Sequence, residues 1–361
     1  MTSAAHRAGL TAWGPLVVLA LIVGAALASP ARAASNDLRL LNLCDSSGGA
    51  CRWLDQSGRI TTFAFGADTG ATSRYRSLMS ELGVVMAPRL QTPADTLGFA
   101  GFQISAELGT TQISRDKPFW NGVEGVNPAN TRVRPDAWLT TVGLFARKGM
   151  WFPIPALEWG VGAMNLLQSG MWAMQGYVKL ALLEGFHEWP LPSLAVRGGI
   201  SQMVGTDQVN LTVGSVDVMI SKAFSLVGTA RVEPFAGWNL LLIDARSGVI
   251  DGTPGCDAVA LEQTKRSDAA ALAMLPAACP VSQAESPGDL GANFTFPHQD
   301  LITRQRFYAG AKVKLASLFI VGQAALARVG RSVDAPSASG TSARDESGPQ
   351  KSVSFSLGLD F

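Results

Sequence analysis

The chain closes on SVSFSLGLDF, Ser352 to Phe361, a stretch that alternates without a break. Val353, Phe355, Leu357, Leu359 and Phe361 fall in one phase; Ser352, Ser354, Ser356, Gly358 and Asp360 fall in the other. Successive side chains of a strand point to opposite faces, so this stretch predicts a strand with one wholly apolar face and one polar or small face. Such a strand suits a boundary between lipid and water, and equally one between a soluble core and solvent. Alternation alone leaves both open.

The rest of the chain narrows the choice. Residues 1–33 read as a secretory signal: His6 and Arg7 precede an apolar run from Leu16 to Leu27, and Ala31-Arg32-Ala33 offers a small-x-small cleavage site. Pro15 and Ser29-Pro30 bracket that run, leaving it short of the roughly 20 apolar residues of a spanning helix. The predicted mature chain begins at Ala34, with no cysteine there for lipid attachment. Beyond it no stretch is as long as a spanning helix, although the whole chain is 47% hydrophobic. Such a chain must hide its apolar residues by alternation or in a core, and in lipid only helices and closed barrels satisfy every backbone polar group. Without the signal, 27 basic residues stand against 28 acidic ones, so the charge balance points to no nucleic-acid partner.

From residue 60 onward about twelve runs fit a strand tilted across a bilayer. They are Ile60 to Gly66, Leu78 to Ala87, Leu97 to Gly109, Ala137 to Arg147, Ile154 to Leu166, Met171 to Leu183, Ser193 to Met203, Leu211 to Ala223, Val227 to Ile243, Thr303 to Leu315, Leu318 to Val329 and Lys351 to Phe361. Glu81, Gln103, Glu107, Glu158, Lys179, Arg197, Asp217, Arg231, Glu233, Asn239, Arg304, Arg306, Lys312 and Lys314 oppose the apolar phase of their runs. An Arg or Lys on the lipid face costs about 2–4 kcal/mol at the midplane, which assigns these residues to a lumen.

The connections carry a second signal, since transmembrane barrels alternate short periplasmic turns with longer extracellular loops. Counting back from a last strand that ends in the periplasm, residues 330–350, 244–302 and 110–136 are long and external, whereas Ala316-Ser317 and Phe224 to Leu226 are short and periplasmic. Ser169-Gly170 is the exception, short yet external by parity. The predicted fold is therefore all-β: a single antiparallel up-and-down transmembrane β-barrel of about twelve strands (about ten to fourteen) over residues 60–361. Trp138 and Trp172 begin descending strands while Trp151 and Trp189 sit at periplasmic turns, as interfacial girdles require.

Residues 34–59 form an N-terminal segment that either hangs in the periplasm or plugs the lumen. Cys44 and Cys51 predict a small disulfide loop, and Cys256 and Cys279 a second one around a helix-favouring stretch from Ala258 to Leu275, with Ser267 as a candidate N-cap. Their spacing is not that of a metal site, and the mature chain has only His187 and His298, so neither metal nor cofactor is expected. Ser332 to Gln350 reads as a flexible loop. His298, with Asp300 two residues on, is the sole mature external histidine, but no strand-borne serine partners it, so no enzymatic activity is expected.

The alternating last strand with terminal Phe361, together with the signal, resembles the bacterial outer-membrane β-barrel proteins. That resemblance implies a Gram-negative outer-membrane location, a lipid surround, and an insertion machinery that reads Phe361. A looser resemblance is to the long-chain fatty-acid transporter family, whose barrels place an N-terminal hatch in the lumen but have more strands. Charges of both signs in a lumen narrower than that of a sixteen-stranded porin predict a narrow passive channel or transporter of a small solute. The alternative is a non-conducting structural or docking barrel that binds envelope or extracellular partners through its long loops.

Overall fold

A computed structural model describes residues 34–44, 53–54, 60–62, 70–125, 135–150, 156–184, 191–226, 230–251, 293–332 and 343–361. Ten long strands form the wall: β1 (Phe102–Gln112), β2 (Trp138–Met150), β3 (Leu157–Leu166), β4 (Trp172–Leu183), β5 (Ser193–Val204), β6 (Val209–Ser221), β7 (Ala230–Ser247), β8 (Ile302–Leu315), β9 (Leu318–Ala327) and β10 (Gln350–Asp360). Each pairs antiparallel with its chain neighbour, and β10 closes the sheet on β1, with Asp360 opposite Gln103 and Ser352 opposite Thr111. The β7–β8 pair, from Ala230↔Leu315 to Ile243↔Ile302, bridges the longest connection in register. Closure leaves no unpaired edge in the wall, which is the condition for a sheet to stand in lipid.

The barrel thus has ten strands, not about twelve. Ile60–Thr62 pairs only with Trp53–Leu54, apart from the barrel sheet. Leu78 to Ala87 is not a strand at all: most of it lies in a helix, α1 (Gly70–Val85), inside the barrel. α1 is buried on nearly every side, so its sequence has no polar stripe to reveal a 3.6 period, and a short apolar run of this kind reads as either element. Loss of two strands leaves the parity of every connection unchanged. The first wall strand also starts later than Leu97, because residues 97–101 turn out of the lumen through Gly98 at φ +72° before β1 begins.

The two barrel ends differ. One, the turn end, carries Phe361, the Ala316-Ser317 turn and residues 222–226; the other, the loop end, carries residues 113–125, 135–137, 248–251, 293–301, 328–332 and 343–349. The outer face is an apolar belt including Leu108, Met174, Val178, Ile200, Phe307, Ile320 and Phe355, all exposed. Trp138 stands exposed at the loop end and Trp159 near the turn end, whereas Trp151, Trp189 and His187 lie outside the described residues. A contiguous belt of this extent is incompatible with water and calls for lipid.

The inner face is divided along the barrel axis. Toward the loop end it is apolar, with Leu139, Met164, Leu166, Leu211, Val213, Leu241, Ile243 and Ile302 joined in one core with Leu78, Met79 and Leu82 of α1. Toward the turn end it is charged. α1 fills the apolar half, and residues 86–97, without helix or strand, run on through the charged half. Burying each such leucine or methionine contributes about 1.5–3 kcal/mol, so the hydrophobic effect holds α1 where it is.

Candidate functional site

The site is the filled lumen, and it is built by one crossing of the chain. Residues 34–44 lie at the loop end: the Asn36 N–H donates to Gln168 O at 2.9 Å, Leu38 bridges to Val123, and Leu40 N–H donates to Gln208 Oε1 at 2.6 Å. α1 descends from there. Arg74 donates to Leu43 O at 2.7 Å, and Arg76 to the carbonyls of Asp300 at 3.0 Å and Arg331 at 3.3 Å.

Glu81, assigned by alternation to a strand, lies on α1 and fastens it to the loop end. Its Oε2 accepts from Ser114 N–H at 2.9 Å and Trp120 Nε1 at 2.7 Å, and its Oε1 from Gly348 N–H at 3.0 Å. Arg304 of β8 donates to Ser80 Oγ at 2.9 Å, Ser347 Oγ at 2.8 Å, Gly348 O at 2.9 Å and Arg328 O at 2.7 Å. Helix, loop 328–349 and wall therefore share one buried network.

Below α1 the wall grips the backbone of the crossing segment. Ser201 donates to Met86 O at 2.7 Å, Gln175 to Ala87 O at 3.2 Å, and Arg306 to Pro88 O at 3.1 Å and Asn239 Oδ1 at 3.0 Å. Arg89 reaches Thr141 Oγ1 in space left by the absent side chain of Gly109. Arg197 joins Asp217 at 3.1 Å to Thr92 Oγ1 at 3.1 Å. Lys179 donates to Pro93 O at 3.0 Å and Asp95 O at 2.8 Å while pairing with Glu158 at 3.1 Å.

The remaining assigned residues lie nearby. Gln103 and Glu107 share Arg147, Arg231 bridges Asp95 at 2.8 Å and Glu233 at 3.5 Å, and Lys312 and Lys314 converge on Asp360 at 3.2 and 3.0 Å. A cavity of about 140 Å³ opens among these groups at the turn end, lined by Asp95, Glu158, Glu233 and Asp360 against Lys179, Arg231, Lys312 and Lys314. Four acids against four bases leave it without a preferred charge.

Sequence reasoning missed Arg147, Arg89 and Asp95. Arg147 shares its inward phase with Leu139 and Phe145, so β2 has no clean polar face; Arg89 and Asp95 are not on the wall. One signal was present. Leu240-Leu241-Leu242-Ile243 is apolar in both phases, and an apolar lumen face implies something apolar to cover it.

His298 is exposed at the loop end, two residues from the Asp300 carbonyl that Arg76 holds. Cys44 lies at the loop end beside Leu43; Cys51, Cys256 and Cys279, residues 1–33, the Ala258 to Leu275 stretch and most of the 332–350 loop up to residue 342 lie outside the described residues. No cluster of three or more His, Cys, Asp or Glu placed for a metal occurs among the described residues.

No family model and no curated protein matches the chain. Solved structures similar to it are outer-membrane β-barrels. Ail, the attachment invasion locus protein of Yersinia pestis, is 10% identical, with 73% of this chain and 99% of that one covered at a TM-score of 0.24. Neisserial surface protein A is 9% identical, covering 72% and 95% at 0.24. A Pseudomonas aeruginosa FadL homologue is 9% identical, covering 91% and 99% at 0.17. Superpositions this loose carry no argument about function; the strand pairing carries the fold.

Proposed function

We propose that this protein is an integral outer-membrane barrel, closed at rest by its own residues 70–97, that acts as a non-conducting anchor presenting its long loops on the cell exterior. The observation that carries the reading is the crossing segment itself. It occupies the lumen from end to end, with α1 packed in an apolar sleeve and residues 86–97 bonded to β3, β4, β5, β6 and β8. An open passive channel needs a wetted lumen, and here the charges that would line one are spent on the plug and on each other.

The apolar belt supports insertion in lipid, and the short connections of the turn end support its facing the periplasm. The reading includes no enzymatic activity, cofactor or nucleic-acid partner. A second reading, gated passage of a small solute, draws on the charged cavity at the turn end and requires α1 to leave.

Single-channel recording of the purified protein in planar bilayers tests the choice. The expected trace is silent for the full chain and shows steps once residues 34–97 are deleted. Regular conductance steps from the intact protein would overturn the plugged reading.

A further inference from the structure

Residues 34–44 and residue 101 stand at opposite ends of one closed barrel. The first group bonds to loop-end residues Val123, Gln168 and Gln208, and Asp37 Oδ1 accepts from Gly170 N–H at 2.7 Å. At the other end Gly149 N–H donates to Gly101 O at 3.0 Å, and Phe102 exchanges backbone bonds with Phe361. Because β10–β1 and β7–β8 both close in register, the connecting chain has no lateral exit. It runs through the lumen.

On the orientation proposed above, on which this inference rests, the loop end faces outward. We infer that the barrel carries its own N-terminal segment through the lumen and displays residues 34–44 on the cell exterior, so that the lumen is a passage for extended polypeptide with the protein's own N-terminal segment as its cargo. The grip suits that cargo. Ser201, Gln175, Arg306 and Lys179 all donate to main-chain carbonyls, of Met86, Ala87, Pro88, Pro93 and Asp95, groups that any polypeptide offers at every position. Donors aimed at carbonyls hold an extended chain whatever its side chains, and the side-chain contacts of Arg89 with Thr141, Thr92 with Arg197 and Asp95 with Arg231 then fix the register at which the crossing stops. The apolar sleeve above then gives the chain a place to form α1 once it has passed, and a helix about 10–12 Å across locks the crossing.

The test places an epitope tag between Ala34 and Ser35, with control tags after Val249 at the loop end and after Leu226 at the turn end, and stains intact and permeabilised cells. The expected result is that tags at 34 and 249 give equal signal in both, and the tag at 226 only after permeabilisation. A tag at 34 that needs permeabilisation while 249 does not would overturn the inference and leave the anchor reading standing. Staining of 226 but not 249 on intact cells would overturn the orientation and both readings with it. Where the tagged chain fails to assemble, Ser35→Cys is treated with a membrane-impermeant maleimide against the wild-type background. Labelling on intact cells supports display, and its absence there overturns it.

Discussion

Replacing Lys179 by methionine keeps most of the length of the side chain and removes its charge and all three of its donors. The ammonium is 1% exposed and serves Glu158 at 3.1 Å, Pro93 O at 3.0 Å and Asp95 O at 2.8 Å. Removing one partner of a buried pair costs about 3–5 kcal/mol, because the other charge stays behind in a poorly solvated place. Two features moderate this here. Glu158 keeps the Tyr177 hydroxyl at 2.7 Å and Leu97 N–H at 3.2 Å, and the adjoining cavity of about 140 Å³ has room for water to reach the stranded carboxylate and carbonyls. The lower end applies, about 3 kcal/mol, which is about a hundredfold rise in the population with the strap released. Brief openings in single-channel records of K179M, absent from the wild type, are the expected readout, together with a lower unfolding temperature. In K179M/E158Q the second change should cost less than it does alone, since it removes the stranded charge. Records and melting curves indistinguishable from wild type would refute the claim that this lysine holds the segment.

Three further outcomes are expected. A Cβ at Gly83 would fall 2.6 Å from Ile243 Cδ1 and 2.8 Å from its two Cγ atoms, so Gly83→Ala should cost about 1–3 kcal/mol on thermal unfolding, and Ile243→Ala in the same chain should recover part of it. Deleting Phe361 removes the reciprocal backbone bonds with Phe102 at the turn end of the β10–β1 seam, and should reduce the heat-modifiable barrel form on electrophoresis. Non-reducing peptide mapping should link Cys44 with Cys51 and Cys256 with Cys279; a link between the two regions would reject that pairing.

How much of this was legible follows from what each residue answers to. The wall was, because a strand in a barrel obeys two local rules at once: its side chains alternate, and one face meets lipid where charge is costly. Ser352 to Phe361, Met171 to Leu183 and Thr303 to Leu315 each carry that pattern in their own residues. Connection parity was legible too, and survived the removal of two expected strands because they left as a pair. What fills the lumen was not. α1 is covered by β6, β7 and β8 and by residues 40–43, 118–122 and 344–348, so burial erases the amphipathic stripe by which a helix is read, and LMSELGVVMA passes for a strand. The charges of Arg304, Arg306 and Lys179 say that they avoid lipid, but whether they face water or a carbonyl depends on residues 86–97, far away in the chain, lying across them. Side-chain period is a local property and is written in the sequence; the partner of an inward-facing charge is set by the closure of the sheet around a distant segment, and only the tertiary structure decides it.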